Sequence, residues 1–337
     1  MIVGVPRETK GGERRVALGL REVHELVLQG NEVRVEAGAG DGVGIGDAAF
    51  AAVGARVTDR TQAWSADLIV KVKELQDEEL DRLPHGRTIF GFQHLPGESH
   101  RTRTLAARGT TAIAFEMVRT AHGLFPLLAP MSAIAGRMAI EVAREHLRRA
   151  PREVVVLGAG HAGSAAAEAA RDAGARVTVF RRANATPDAI ARAVLAADLV
   201  VGAVFVPASP TPKLLPRALV QRMRAGTMIV DISIDAGGVA ETSRPTTHDD
   251  PVYVEEGVLH YAVANMPAAR PLESAAAIWA AALPYVEQMT RKGIAAAMRD
   301  NEALRAGVLI WRGRLNHAGI AAEAGLAFEP LEPQDLA

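Results

Sequence analysis

Residues 154–182, VVVLGAGHAGSAAAEAARDAGARVTVFRR, set Gly158, Gly160 and Gly163 in G-x-G-x-x-G spacing between an apolar run and an alanine-rich one. The order reads as strand, tight turn and helix. In that setting the first glycine permits the turn, the second lets a pyrophosphate approach the backbone, and the third allows close helix–strand packing. The helix N-terminus adds unpaired N–H donors and the positive end of its dipole. The spacing alone is a weak signal, but between a strand and a helix it favours a dinucleotide over a turn kept for packing. About 20 residues past such a turn an NAD-type site carries a carboxylate for the ribose hydroxyls. Arg181 and Arg182 stand there instead. A guanidinium pairs bidentately with a phosphate and offers a 2′-hydroxyl nothing comparable. The expected cofactor is therefore NAD(P), with NADP(H) favoured over NAD(H); the competing reading is two solvated loop charges.

The elements that must position this turn form two β-α series. In the first, IVGVP, EVRVEAG, LIVKVK, TIFGFQHL and TAIAFEMV read as strands, and LREVHELVLQG, DAAFAAVG and RTRTLAARG as helices ending at glycine. Such alternation predicts a mainly parallel, covered sheet. A helix over 131–150 then connects to a second series with strands EVVVLGA, RVTVF, DLVVGAV, TMIVDIS and VLHYAVA. After Pro267 the chain turns helical again and is expected to return to the first domain. About fifteen residues lie between Arg182 and DLVVGAV, room for one helix but not for helix, strand and helix. The predicted fold is α/β, with two doubly wound Rossmann-like domains. The cofactor domain, 129–267, is inserted into a discontinuous substrate domain, 1–128 and 268–337, and lacks one edge strand.

With 337 residues, 49% of them apolar, and a formal net charge of −1, the chain is sized for two domains with real cores. The near-neutral balance, without a dense basic run, favours neither nucleic acid nor an anionic membrane surface. The opening MIVGVPRETK is too short an apolar stretch for a signal peptide or a membrane span, so a cytoplasmic protein is expected. Absence of cysteine rules out disulfides, thiolate metal sites and a cysteine nucleophile. Scattered histidines such as His24, His248 and His260 lack ligand spacing, and no metal is expected.

VGVPRETKGGERRVAL, ADLIVKVKE, FGFQHL, FPLLAPMSAIAGRMA, VVVLGAGHAG, ADLVVGAVFVP, IVDISIDAGG, SRPTT and VANMPA together resemble the alanine dehydrogenase and transhydrogenase α-subunit family over nearly the whole chain. MSxxAGR and SRPTT are more similar to the dehydrogenase side. The resemblance implies reversible oxidative deamination of a small L-amino acid to the 2-oxo acid and ammonia, by hydride transfer to NAD(P). It also implies a homo-oligomer. That chemistry needs a cation for the substrate carboxylate, an acid/base, a polarising donor, and a nicotinamide facing Cα.

The family pattern assigns the carboxylate to Arg15 in ERRVAL, with Arg14 expected to be solvated. Lys73 in LIVKVKE matches its substrate lysine. On a strand Lys71 and Lys73 share a face, so spacing does not choose between them and the family register favours Lys73. His94, ending TIFGFQH, matches the catalytic histidine, and Asp235 in DISIDAGG, at a strand's carboxyl end, matches the acid/base aspartate. Asp231, four residues earlier and deeper, is read as structural. Met131 is expected in the side-chain pocket, and Asn265 at the substrate or the nicotinamide. Ser132 and Val204 join the glycines and arginines as cofactor residues.

The chain departs from the family in three places. REHLRRAPREVVVL runs straight through where the family carries a glycine-rich segment, Ala133 replaces the carboxylate of the family's MSE, and the arginine pair follows the second strand. All three fall in or near the cofactor domain. Two alternatives follow: an imine or 2-oxo-acid reductase of a specialised pathway, or a non-catalytic amino-acid-binding relative.

Overall fold

The computed structural model describes residues 1–207 and 209–336. Contacts divide the chain into two compact units, one built from Met1–Leu128 and the segment from Arg270 onwards, the other from Ala129–Ala269.

The first unit holds β1 (Ile2–Val5), β2 (Glu32–Glu36), β3 (Arg56–Thr58), β4 (Leu68–Val70), β5 (Thr88–Gly91), β6 (Thr111–Ala114), β13 (Val308–Trp311) and β14 (Arg314–Leu315). Their order in the sheet is β14-β13-β6-β5-β4-β1-β2-β3, and β1 to β6 are parallel. The strands LIV, TIFG and TAIA are buried throughout, as expected where helices cover both faces of a parallel sheet. The order in which strands are added reverses between β1 and β4, so the crevice for a ligand lies outside the carboxyl ends of those strands. The returning segment is not wholly helical. After the Pro271–Lys292 helix and two shorter ones, VLIW adds antiparallel to β6 and turns through Arg312 and Gly313 into β14. A four-residue apolar run carries no period that separates strand from helix.

The second unit opens with the Ala129–Leu147 helix, which starts two residues earlier and stops three earlier than expected. Its strands are β7 (Glu153–Leu157), β8 (Arg176–Phe180), β9 (Leu199–Gly202), β10 (Met228–Asp231), β11 (Val252–Glu255) and β12 (Val258–Tyr261), in the order β11-β12-β10-β9-β7-β8. A strand beyond β8 is missing from the usual doubly wound order, as the short connection after Arg182 requires. β8 is consequently an edge strand that alternates exposed and half-buried residues until Phe180. Where the connection into β7 is short, Asp198 clamps it. Its carboxylate accepts from the backbone N–H groups of Arg152 and Glu153 and pairs with Arg149 at 3.0 Å and Arg224 at 2.9 Å. Burial pushes that carboxyl up, but these donors outweigh it and hold it well below the usual carboxylate range.

Candidate active site

Within the first unit, basic and acidic side chains gather at the carboxyl ends of β1, β4 and β5. Pairing continues past the last ladder residues: Lys71 N–H donates to Phe90 C=O at 3.0 Å, and Phe92 N–H to Val72 C=O at 3.1 Å. Lys71 and Lys73 thus lie in the extended segment just beyond β4, beside the one that ends at His94. That register brings Lys73 Nζ to 3.3 Å from His94 Nε2. Glu74 Oε2 lies 3.9 Å from each nitrogen and accepts no hydrogen bond of its own. Burial pushes the Glu74 carboxyl up, but the charges of Lys73, His94 and Lys10 outweigh burial and hold it at about 2. An ammonium, an imidazole and a fixed carboxylate within one contact can bind an anion and move a proton.

The two lysines that the sequence leaves equivalent have separate surroundings. Lys71 is fully buried and spans Glu8 at 3.1 Å and Glu79 at 2.8 Å. Burial favours its neutral amine, yet the two carboxylates prevail and raise its pKa. Lys73 instead faces the ring of Phe92 at 5.6 Å, on which the His94 ring also stacks at 5.7 Å. Glu8 ties the segment down, accepting from the N–H groups of Val72 at 2.7 Å and Lys73 at 3.3 Å.

Arg15 is buried and held bidentately by Glu13, at 2.7 Å from Nε and 2.6 Å from Nη2, while Arg14 is exposed as expected. The fork of Arg15 is thereby fixed in direction before any substrate arrives. His94 lies three residues beyond β5, not on it, and its backbone has φ +43°, a conformation that non-glycine residues rarely adopt. Glu116, buried after β6, holds that turn by accepting from His94 N–H at 2.8 Å and Gln93 N–H at 3.1 Å. Sequence reasoning singled out none of Glu8, Glu13, Glu74 or Glu116. The only signal was the alternation of acids and bases in PRETKGGERR and KVKE directly after buried strands.

In the second unit the loops after β7 and β9 lie where the order of strand addition reverses. Gly158 has φ +108°, and a Cβ on it would lie 2.2 Å from the Ala203 carbonyl oxygen. A Cβ on Gly163 would lie 1.9 Å from the Gly158 carbonyl oxygen, so turn and helix touch backbone to backbone. Gly160, which opens the His161–Asp172 helix, is different: a Cβ there meets nothing within 4 Å. Two glycines closed by packing around one facing open space is the cradle a pyrophosphate requires, and these residues fit a dinucleotide. Val204 N–H, at the adjoining strand end, donates to Ser233 Oγ at 2.8 Å.

Gly158 N–H donates to Phe180 C=O at 3.0 Å, placing the start of the Arg181–Arg182 pair beside the turn. Arg181 N–H is capped by Asn184 Oδ1 at 2.6 Å. Both arginines are exposed, and neither guanidinium has a carboxylate partner among the described residues. Asp235 lies exposed on the short 3-10 turn Ile232–Ala236 that follows β10, so it shares no strand face with Asp231. Asp231 is buried at the end of β10, accepting from Val239 N–H at 2.8 Å and Ser243 Oγ at 2.6 Å; it organises the loop. Asn265 turns the chain after β12 with φ +62°. Met131 is buried and Ser132 half-buried in the first turn of the Ala129–Leu147 helix. His260 is buried against Thr242, and His24 and His248 are exposed; no group of metal-ligating residues occurs among the described residues. Nor, among them, is any helix long and apolar enough to cross a membrane.

The chain matches the family models described as alanine dehydrogenase/PNT, N-terminal domain, over residues 4–135, and alanine dehydrogenase/PNT, C-terminal domain, over residues 181–318. It is 40% identical to an alanine dehydrogenase of Halomonas elongata, covering 97% of this chain and 98% of that one. With an alanine dehydrogenase of Mycobacterium tuberculosis H37Rv it shares 42% identity at the same coverage. The 363 aligned positions exceed the 337 residues here, so the alignments carry gaps in this chain. Among solved structures, an L-alanine dehydrogenase superposes with TM-score 0.88 and 35% identity over 100% of both chains. A transhydrogenase from Sinorhizobium meliloti gives 0.80 at 25% identity over 94% of this chain and 99% of that one.

Proposed function

The chain belongs to the alanine dehydrogenase/PNT family, and from that premise we propose that it is a nicotinamide-dependent amino-acid dehydrogenase. It interconverts L-alanine and water with pyruvate and ammonia. The observation that carries this reading is the Lys73–His94 contact beside Glu74, at the carboxyl ends of the first unit's sheet.

Bound nicotinamide supplies the two-electron acceptor for the hydride of Cα. The remaining work falls to the chain's own groups. Arg15, its fork already set by Glu13, and the Lys73 ammonium hold the substrate carboxylate, with the geometric specificity that a fixed guanidinium gives. His94 takes and returns the proton of the amine and of the attacking water, with Lys73 Nζ in contact with its Nε2. Asp235 is assigned the acid/base role towards the carbinolamine, and Asn265 a hydrogen bond to the carboxamide or the substrate. Met131 lines the side-chain pocket, and Ser132 and Val204 contact the cofactor. The Gly158–Gly163 turn seats the pyrophosphate. Arg181 and Arg182, with no acidic partner among the described residues, favour NADP(H) over NAD(H).

The test is reductive amination: pyruvate and ammonium with NADH or NADPH, followed by loss of reduced-nicotinamide fluorescence. Turnover that vanishes in Lys73→Ala and His94→Ala is the expected result. Tight binding of alanine without turnover on either cofactor would leave a binding protein and overturn the assignment.

A further inference from the structure

The first unit has a second concave site, at the opposite end of its sheet from Lys73 and His94. A cavity of about 480 Å³ opens at the amino ends of β4, β5 and β6, where Asp67, Thr88 and Thr111 stand, and is walled by the returning segment through Lys292, Arg299, Trp311 and Arg312. Arg87 completes it. Four cations therefore line one hollow.

Their partners do not neutralise them. Lys292 and Arg299 share the single carboxylate of Asp300, at 2.7 and 3.5 Å. Arg87 reaches Asp67 only at 3.9 Å. Arg312 has no carboxylate partner among the described residues; its guanidinium lies over the Trp311 ring at 4.7 Å. Its backbone is at φ +47° in the turn between β13 and β14, where its N–H donates to Thr111 Oγ1 at 3.2 Å. That strained turn presents an arginine to the hollow where a glycine or asparagine would be the relaxed choice.

Trp311 is 3% exposed and lies beneath the Arg312 guanidinium, so its indole can report on what that side chain binds.

We propose that this hollow binds a phosphoryl dianion, free or as a small monoester, at a site separate from the chemistry at the carboxyl ends. Guanidinium forks suit phosphate oxygens, and phosphate carries enough charge to offset the surplus of cations. The volume leaves room beyond a bare phosphate for a short ester group.

The test titrates the purified full chain with inorganic phosphate against chloride at matched ionic strength, reading tryptophan fluorescence and melting temperature. A saturable fluorescence change, absent in Trp311→Phe, and a rise of about 2 °C or more in Tm are expected. Arg312→Gln and Arg87→Gln each weaken the phosphate response at least about tenfold. Arg181→Gln/Arg182→Gln leaves it unchanged. Glycerol phosphate in place of phosphate separates the sources: tighter binding assigns the ester, equal or weaker binding the free anion. The proposal is overturned by a response no larger than that to chloride, by one that survives Arg87→Gln/Arg312→Gln, or by one abolished by saturating NADH. The two arginine variants alter side chains at the rim, and an unchanged circular dichroism spectrum separates lost binding from lost fold.

Discussion

The two units carry variants of one topology, and they treat their ligand-facing ends in opposite ways. In the first, the doubly wound order 3-2-1-4-5-6 is complete, and the residues at its carboxyl ends are buried and paired before any ligand arrives: Arg15 by Glu13, Lys71 by Glu8 and Glu79, and Lys73 beside His94 and Glu74. In the second, one edge strand is gone, β8 faces solvent, and Arg181 and Arg182 carry their charges into the open. The contrast separates two demands of one reaction. Orientation and proton transfer need charges fixed by the fold, so the first unit tolerates little change. Choosing between two dinucleotides needs only a few contacts to a ribose, which a loop can supply.

The hardest test of that contrast lies within the first unit. Lys71 and Lys73 are two residues apart, yet the comparison assigns one to the fold and the other to the reaction. Lys73→Met should lower kcat/KM by about 10²–10⁴-fold, on the scale of losing a positioned acid/base or anchoring group, with a small change in stability. Lys71→Met leaves Glu8 and Glu79 buried without their cation, which costs about 3–5 kcal/mol. Urea midpoints and kinetics on both variants decide the matter. If Lys71→Met folds normally but is inactive, the assignment of the two lysines is reversed.

The glycine turn offers a smaller test in the second unit. In Gly163→Ala the new methyl lies against the Gly158 carbonyl oxygen, so stability should fall by about 1–3 kcal/mol and cofactor affinity with it. In Gly160→Ala the methyl meets no protein atom, so Tm should stay nearly constant while cofactor binding weakens about tenfold or more. Calorimetric unfolding with nicotinamide fluorescence titration reads both quantities. Equal cofactor affinity in Gly160→Ala and the parent would remove the pyrophosphate from this turn.

Acid titration probes the prearranged charges directly. Glu74 is held at about 2 in the folded protein, against 4.5 for the free group. A carboxyl depressed by folding contributes stability that is fully present above the unfolded value and is lost as pH falls from about 4.5 towards about 2. That contribution is on the order of 3 kcal/mol. Glu74→Gln should therefore flatten the acid side of the stability curve in this window. Chemical denaturation at several pH values shows it, and an unchanged acid limb would mean that Lys73 and His94 do not rely on this carboxylate.

Local signals in the sequence account for much of this arrangement. The buried runs LIV, TIFG and TAIA, the strand–glycine–helix order, and the short span after Arg182 all act within about fifteen residues, so the central parallel strands and the lost edge strand were legible. β3, β11 and β14 were not, because an edge strand needs no continuous buried apolar run, and VLIW of β13, though buried, carries no period that separates strand from helix. The supporting carboxylates were hidden for another reason. Glu8 meets Lys71 from 63 residues away and Glu116 meets the His94 N–H from 22, and only folding brings such pairs together. His94's left-handed backbone is likewise invisible locally, because it is imposed by Glu116 and not by residue type.

The smallest expected effect bears on the open side of the comparison. Arg181 begins where Phe180 C=O accepts from Gly158 N–H, so its side chain starts at the position that an NAD-type fold gives to a ribose-binding carboxylate. Without a third strand, nothing in the sheet covers this edge. On the proposed preference for NADP(H), the gain would come from exposed guanidinium contacts to the 2′-phosphate, each about 1 kcal/mol when solvated and screened by salt. Arg181→Asp/Arg182→Ala should therefore shift the NADPH/NADH affinity ratio about tenfold towards NADH, and less at high ionic strength, while kcat with saturating NADH stays constant. A ratio unmoved by the double substitution would make both arginines bystanders. A fall in kcat would tie this loop to the chemistry, and the division of labour between a fixed substrate end and an adjustable cofactor edge would no longer hold.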